Sequence, residues 1–228
     1  MTQPILLSIL IPTTPDRQDD LSNLLSVIQK QYNTRKCQVY DIGDLVCTRH
    51  YDLLSEIEIL VFEDAKVMSI GEKREKLNEH ALGNFIWHID TDDSIHPNAI
   101  KLILEAIKSN PKVDCITFEE RCVMNSKEYK SNHSIQYSGW YGDGSHLLHD
   151  GFHFHRTPFF KDVIRTDIAK SVPIRHVRFG EDNFWADDLH PHLKTEIHIP
   201  EQLYWYIHES SDFHTRYGFD KDKTQGMI

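Results

Sequence analysis

Residues 5–11, Ile-Leu-Leu-Ser-Ile-Leu-Ile, form a nearly continuous apolar run of strand length. A strand apolar on both faces must be covered on both faces. That is the environment of a parallel strand with helices packed on either side. The run stops at Pro12-Thr13-Thr14-Pro15-Asp16. Thr14 is placed to cap a helix with Pro15 at its first position and Asp16 in its first turn. Leu21, Leu24, Leu25 and Ile28 then recur at helical spacing.

The same alternation continues downstream. Residues 38–41 and 58–62 read as strands, and 71–82 as a helix with Leu77 and Ala81 inward, stopped by Gly83. Residues 85–89 read as a strand and 97–109 as a helix with Ile100, Ile103 and Ile107 on one face. Residues 113–120 read as a further strand. The stretch 44–55 takes no assignment. Strands alternating with helices over the first 125 residues predict an α/β fold: a Rossmann-like, mostly parallel sheet flanked by helices. Such sheets place ligand sites at the carboxyl ends of their strands. Thr13, Asp64 and Asp90 follow three of the strands. Residues 134–160 are rich in Gly, His, Tyr and Trp and weakly periodic. Gly180-Glu181-Asp182 opens a helix carrying Trp185, Leu189 and Leu193 at i, i+4, i+8, and 196–208 reads as a strand.

Length and charge narrow the partners. The 228 residues suit one domain, here 1–228 with a first half 1–125 and a second half 126–228. Lys plus Arg total 25 and Asp plus Glu 35, a formal charge of −10. That charge disfavours binding nucleic acid by a basic surface. No apolar run reaches the ~20 residues that span a bilayer. The run at 5–11 has no basic segment before it and no small-residue cleavage site after it. Cys37, Cys47, Cys115 and Cys122 are scattered and form no C-x-x-C pair. A reduced, cytoplasmic protein is the expectation.

Three acidic or basic clusters carry the chemistry. In Asp90-Thr91-Asp92 the two carboxylates fall on one side of an extended chain, where they repel unless a cation is near. A hard divalent ion shared with phosphate oxygens suits them; the plainer reading is an acidic turn leading into the helix at 97. In Gly180-Glu181-Asp182 the acids sit in a first helical turn, favoured there by the macrodipole. They are also able to accept a proton from a cleft. Gly71-Glu72-Lys73-Arg74 sets two cations at a helix start, an anion site or simply solvated charge.

The order of these pieces resembles the family-2 glycosyltransferases, inverting enzymes of GT-A fold. The matching segments are Leu7-Ser8-Ile9-Leu10-Ile11-Pro12-Thr13, Glu63-Asp64, Ser69-Ile70-Gly71-Glu72-Lys73-Arg74 and the run from Ala81 to Asp93. The last is Glu181-Asp182-Asn183-Phe184-Trp185, which fits the family's E-D-x-x-W motif. The resemblance covers roughly residues 5–210.

It implies transfer of a sugar from a nucleoside diphosphate sugar, a UDP-sugar first, to an acceptor hydroxyl on a saccharide, with Mn²⁺ or Mg²⁺ as cofactor. Asp92 would bind the metal, completed by His208 or, second, His214. Asp90 would contact the ribose or the metal's waters. Asp64 would hydrogen-bond the base, with Thr13 lining the same pocket and Lys73 and Arg74 on the donor side. Asp182 would be the general base and Glu181 would orient the acceptor. Trp140, His155 and Trp185, with neighbours Tyr137, Tyr141, His153, Phe154 and Arg156, would form the acceptor wall.

Three other readings follow from the same residues. Aromatic faces would also suit a base flipped out of DNA, with 165–178 as a basic strip. His153-Phe154-His155 and His190-Pro191-His192 suggest a zinc hydrolase. A non-catalytic nucleotide-sugar-binding module would need no base at Asp182.

Overall fold

The computed structural model describes residues 4–32, 36–42, 45–51 and 56–208. The first strand, β1 (Leu7–Thr13), is buried along its whole length. Its side chains alternate between two cores: Leu7, Ile9 and Ile11 enter one, and Leu10 enters the other. Parallel strands flank it, β4 (Ile57–Glu63) on one side and β5 (Phe85–His88) on the other. This is the doubly covered parallel centre that the apolar run requires.

Around that centre the sheet is mixed. On the β4 side it continues antiparallel through β3 (Leu45–Tyr51) to β2 (Lys36–Ile42). Thus 44–55, unassigned from sequence, contains a strand. On the β5 side it runs through β11 (Val163–Arg165), β7 (Cys115–Met124), β8 (Lys127–His133) and β10 (Phe154–Arg156) to β9 (Trp140–Tyr141). The long β12 (Glu196–His208) pairs parallel with β7 and antiparallel with the short β6 (Ser94–Ile95). β12 shifts register between Ile199 and Tyr204. Both Leu203 and Tyr204 are consequently buried, where simple alternation predicts that only one faces inward.

Helices cover both faces. α1 (Gln18–Gln31) and α3 (Ala99–Ser109) send Leu21, Leu24, Ile28, Ile100, Ile103 and Ile107 into the first core. α2 (Ile70–His80), α4 (Thr166–Ser171) and α5 (Glu181–Leu189) cover the second with Leu77, Ile168, Trp185 and Leu189. The first turn after β1 departs from expectation. Pro15–Arg17 is a 3₁₀ turn, Thr14 caps it without a side-chain hydrogen bond, and α1 begins only at Gln18.

Two glycines matter for close approach. Gly71, in the first turn of α2, lies so near the Arg175 backbone that an added Cβ would sit 2.0 Å from its carbonyl oxygen. Gly83 has no left-handed backbone and is not a helix-stopping cap. A Cβ there would meet the Ser8 backbone nitrogen at 2.6 Å, so glycine lets the chain cross β1 closely. Among the described residues, no helix is long and apolar enough to cross a membrane.

Candidate functional site

The carboxyl ends of β1, β4 and β5 open toward the start of α2, as the strand-end rule requires. Ser69 caps α2 by accepting from the Glu72 N–H at 3.2 Å. This cap fixes where Lys73 and Arg74 reach. Lys73 Nζ donates to the Thr13 carbonyl at 3.4 Å and lies 3.5 Å from Asp64 Oδ2. Burial lowers the Lys73 pKa, with Asp64 acting against that shift. The Thr13 hydroxyl oxygen is buried and has no hydrogen-bond partner among the described residues.

Arg74 is the junction of the site. Its Nη2 donates to both oxygens of Asp90, at 2.9 and 3.2 Å, and its Nε donates to Glu181 Oε1 at 3.4 Å. The guanidinium lies 4.5 Å over the Phe160 ring. Burial opposes its charge, but Asp90 and Glu181 outweigh burial and hold it protonated. One side chain thus joins the loop after β5 to the start of α5. Burial raises the Glu181 carboxyl pKa, with Arg74 pulling it back.

The four residues from Asp90 to Asp93 form a turn closed by the Asp93 N–H to the Asp90 carbonyl at 3.1 Å. Their carboxylates part ways. Asp93 turns inward, accepting from Tyr204 Oη at 2.6 Å and from the Ile207 N–H at 3.1 Å. Burial pushes its carboxyl pKa up to about 8. Asp92 faces outward, its side chain 44% exposed, and pairs with Arg17 Nη1 at 2.7 Å. Sequence reasoning missed Arg17; its position just past β1 was the available signal.

Asp182 lies beside Glu181 in the first turn of α5. Gly180, at φ +76°, supplies the left-handed residue from which that helix starts. Arg156 Nη2 donates to Asp182 Oδ2 and to Asn183 Oδ1, both at 2.9 Å. Burial alone would raise the Asp182 pKa; Arg156 outweighs it and the net shift is downward. The Arg156 guanidinium also lies 3.4 Å from the Phe159 ring centre and 4.9 Å from that of Trp140. Trp140 is 49% exposed. His155 stacks on Tyr137 at 4.4 Å and reaches Asp150 with Nε2 at 2.8 Å.

Three expected contacts take a different form. Trp185 is not part of an acceptor wall: it is buried, stacked on Phe160 at 4.4 Å, and donates Nε1–H to the Val172 carbonyl. Its helical spacing with Leu189 and Leu193 was a core signal. Asp64 does not face an open pocket. Its side chain is wholly enclosed and accepts from the Val67 and Met68 N–H groups at 3.1 and 3.2 Å, shaping the loop after β4. His208 stacks on Tyr206 at 6.0 Å and follows Ile207, which bonds Asp93. That brings its strand to the acidic turn. His214 lies outside the described residues.

Among the described residues, no three or more His, Cys, Asp or Glu side chains gather as a cation cage. The donor chemistry is that of exposed carboxylate oxygen on Asp92 with Asp90 beside it. This fits a hard divalent ion held by one or two carboxylates and completed by substrate phosphates.

Three of the four imidazoles of the two H-x-H pairs serve elsewhere. His153 Nδ1 accepts from the Lys130 N–H, His155 pairs with Asp150, and His190 bonds the Ile135 carbonyl. The basic strip is similarly occupied: Arg165 pairs with Asp114 and Asp167, Arg175 with Asp188, and His176 with Glu75.

A buried network lies beneath the site. His133 sits between Asp162, at 3.1 Å, and Glu120, at 3.4 Å. Glu120 also binds Lys161 Nζ at 2.6 Å. Lys161 in turn lies 4.9 Å from the Tyr204 ring centre and 3.7 Å from that of Tyr206. Tyr204 Oη accepts from the Asp90 N–H at 3.1 Å while donating to Asp93.

This arrangement of a mixed sheet with helices covering both faces is the GT-A type of α/β fold. No protein-family model matches the chain, and no curated protein matches it in sequence. Solved structures do match in fold. TarS of S. aureus in complex with UDP-GlcNAc superposes with a TM-score of 0.60 at 14% identity, over 90% of this chain and 59% of that one. The mannosyltransferase PcManGT from Pyrobaculum calidifontis, in complex with GDP-Man and Mn²⁺, gives 0.56 at 10% identity, over 94% of this chain and 60% of that one. The chain therefore spans about three-fifths of the length of these matched structures.

Proposed function

We propose that this protein is an inverting glycosyltransferase that moves a sugar from a nucleoside diphosphate sugar, a UDP-sugar first, to an acceptor hydroxyl on a saccharide. The observation that carries this reading is Arg74, which bonds Asp90 after β5 and Glu181 at the start of α5. It sets a donor-side acid and an acceptor-side acid at one cleft. The likeness to structures holding UDP-GlcNAc and GDP-Man supports a nucleotide-sugar donor.

In this reading the donor lies over the ends of β1 and β5. The unpartnered Thr13 hydroxyl supplies a hydrogen bond, Lys73 and Arg74 supply positive charge near the phosphates, and Asp90 is held in place by Arg74. Asp92, with His208 on the neighbouring strand, would hold Mn²⁺ or Mg²⁺. When bound, that ion offsets charge on the leaving diphosphate as a Lewis acid. Asp182 takes the proton from the acceptor hydroxyl as that oxygen attacks the anomeric carbon on the face opposite the leaving group. Glu181, fixed by Arg74, sets the position of Asp182 through the shared helix turn. Trp140 and the His155–Tyr137 stack offer faces for a sugar ring. Residues 1–125 act mainly on the donor and 126–228 on the acceptor.

Incubating the protein with a panel of UDP-, GDP-, ADP- and CDP-sugars plus Mn²⁺ and measuring nucleoside diphosphate release tests this reading. Slow hydrolysis of one donor that vanishes in Asp182→Asn is the expected result. Binding with no turnover of any donor, with or without saccharide acceptors, would leave a binding module instead.

A further inference from the structure

The acidic turn treats its three carboxylates unequally. Asp93 is locked inward by Tyr204 and the Ile207 N–H. Asp90 is held by Arg74, itself buried and pinned by Glu181 and Phe160. Asp92 alone has a partner able to leave: Arg17, in a pair whose side chains are 43% and 44% exposed. The backbone carrying Arg17 is set by the 3₁₀ turn, which the Arg17 N–H closes on the Thr14 carbonyl at 3.0 Å, with the exposed contacts Asp16–Lys66 and Gln18–Glu63 on either side. A short 3₁₀ turn at the end of β1 thus aims one half-exposed guanidinium at the outermost acid of the site.

We infer that Arg17 is a donor-responsive latch: it neutralises Asp92 in the empty site and moves to the diphosphate when a nucleoside diphosphate binds with a divalent ion. This deepens the proposed transferase reading and rests on it. The exchange is physically cheap, because an exposed ion pair contributes little and is screened by salt. The new contact is stronger than the old one, since guanidinium matches phosphate oxygens in a two-pronged, charge-assisted geometry. The latch also gives an order to binding. Metal alone must compete with Arg17 for Asp92, whereas metal arriving with the diphosphate finds Arg17 drawn away.

Calorimetric titration of the full chain separates the outcomes. Arg17→Ala is expected to bind Mn²⁺ alone more tightly, by up to about five-fold, the equilibrium equivalent of an exposed ion pair. In the presence of Mn²⁺ the same variant is expected to bind UDP, or whichever of UDP, GDP, ADP and CDP the wild type prefers, at least about ten-fold more weakly. Arg17→Lys keeps the charge, so it is expected to bind Mn²⁺ alone as the wild type does while losing part of the diphosphate affinity.

If Arg17→Ala changes neither affinity, or weakens both together, the latch is wrong while the transferase reading stands. A wild type that binds none of the four nucleotides with Mn²⁺ overturns the transferase reading and the latch with it. Thermal unfolding of both variants at the wild-type midpoint shows that the affinities report the site and not the fold.

Discussion

Arg156 and Asp182 meet at 2.9 Å, and the same guanidinium lies 4.9 Å from the exposed Trp140 ring. The proposed base and the proposed acceptor platform are therefore tied to one cation. The tie keeps Asp182 ionised, since Arg156 lowers its pKa against the effect of burial. An ionised carboxylate is ready to take a proton, although a lowered pKa makes it a weaker base.

Replacing the base tests its role most directly. Asp182→Asn keeps the size and removes the charge. Turnover is expected to fall by about 10²–10⁴-fold, the usual share of general-base help, with donor affinity little changed. Near wild-type turnover in steady-state kinetics would assign the proton to another group.

Arg156→Gln should move the acidic limb of the pH–rate profile. Loss of the cation lets the Asp182 pKa rise, so the base protonates at higher pH and the acidic limb of kcat/KM shifts upward. A profile that keeps its limb while the rate falls would mean that Arg156 only shapes the loop. The measurement is kcat/KM as a function of pH in both proteins.

Arg74→Met removes the cation between Asp90 and Glu181. Glu181 is buried, so the unpaired charge is costly, and a loss of about 3–5 kcal/mol is expected for breaking such a pair from one side. Urea denaturation gives the value. Arg74→Lys should lose less, because an ammonium keeps the charge while giving up the fork that reaches both acids.

The buried imidazole predicts how stability depends on pH. Burial would lower the His133 pKa, but Asp162 and Glu120 outweigh it and raise it to about 9, with Lys161 on the far side of Glu120. The folded state then binds this proton more tightly than the unfolded chain, whose histidine titrates near ~6.5. This stabilisation is complete below about 6.5 and is lost as pH rises through about 9. Denaturant midpoints at pH 6 and pH 9.5 should show the fall. Equal midpoints would mean a neutral His133.

Gly71→Ala should destabilise the protein through backbone collision, since its Cβ would lie 2.0 Å from the Arg175 carbonyl oxygen. Overpacking of this kind costs about 1–3 kcal/mol. Gly139→Ala is the control, with nothing within 4 Å of its Cβ. Comparison of the two thermal midpoints checks the prediction.

The legible parts of this protein were those encoded by neighbours in the chain. The apolar run at 5–11 specified a doubly buried parallel strand because all its side chains but Ser8 are apolar, and both cores bear this out from Leu7 onward. The spacing of Leu21, Leu24 and Ile28, and of Ile100, Ile103 and Ile107, specified helix faces for the same reason. The strand-end rule placed Thr13, Asp64 and Asp90 at one edge of the sheet. By contrast, β8 is the hairpin partner of β7 across Asn125 and Ser126, and its side chains are mostly polar and exposed at its start, which leaves a weak local pattern.

What sequence alone could not supply was the partner of each charge. Asp64, Asp92 and Asp93 look equivalent as acids, yet one is enclosed by backbone N–H groups, one faces solvent beside Arg17, and one is sealed against Tyr204. Trp185 occupies its place in an E-D-x-x-W motif, yet it packs on Phe160 and takes no part in a surface. Periodicity records which side of an element avoids water. Burial, charge pairing and access depend on segments up to a hundred or more residues apart, such as Arg74 and Glu181, and only their convergence in three dimensions decides what each acid can do.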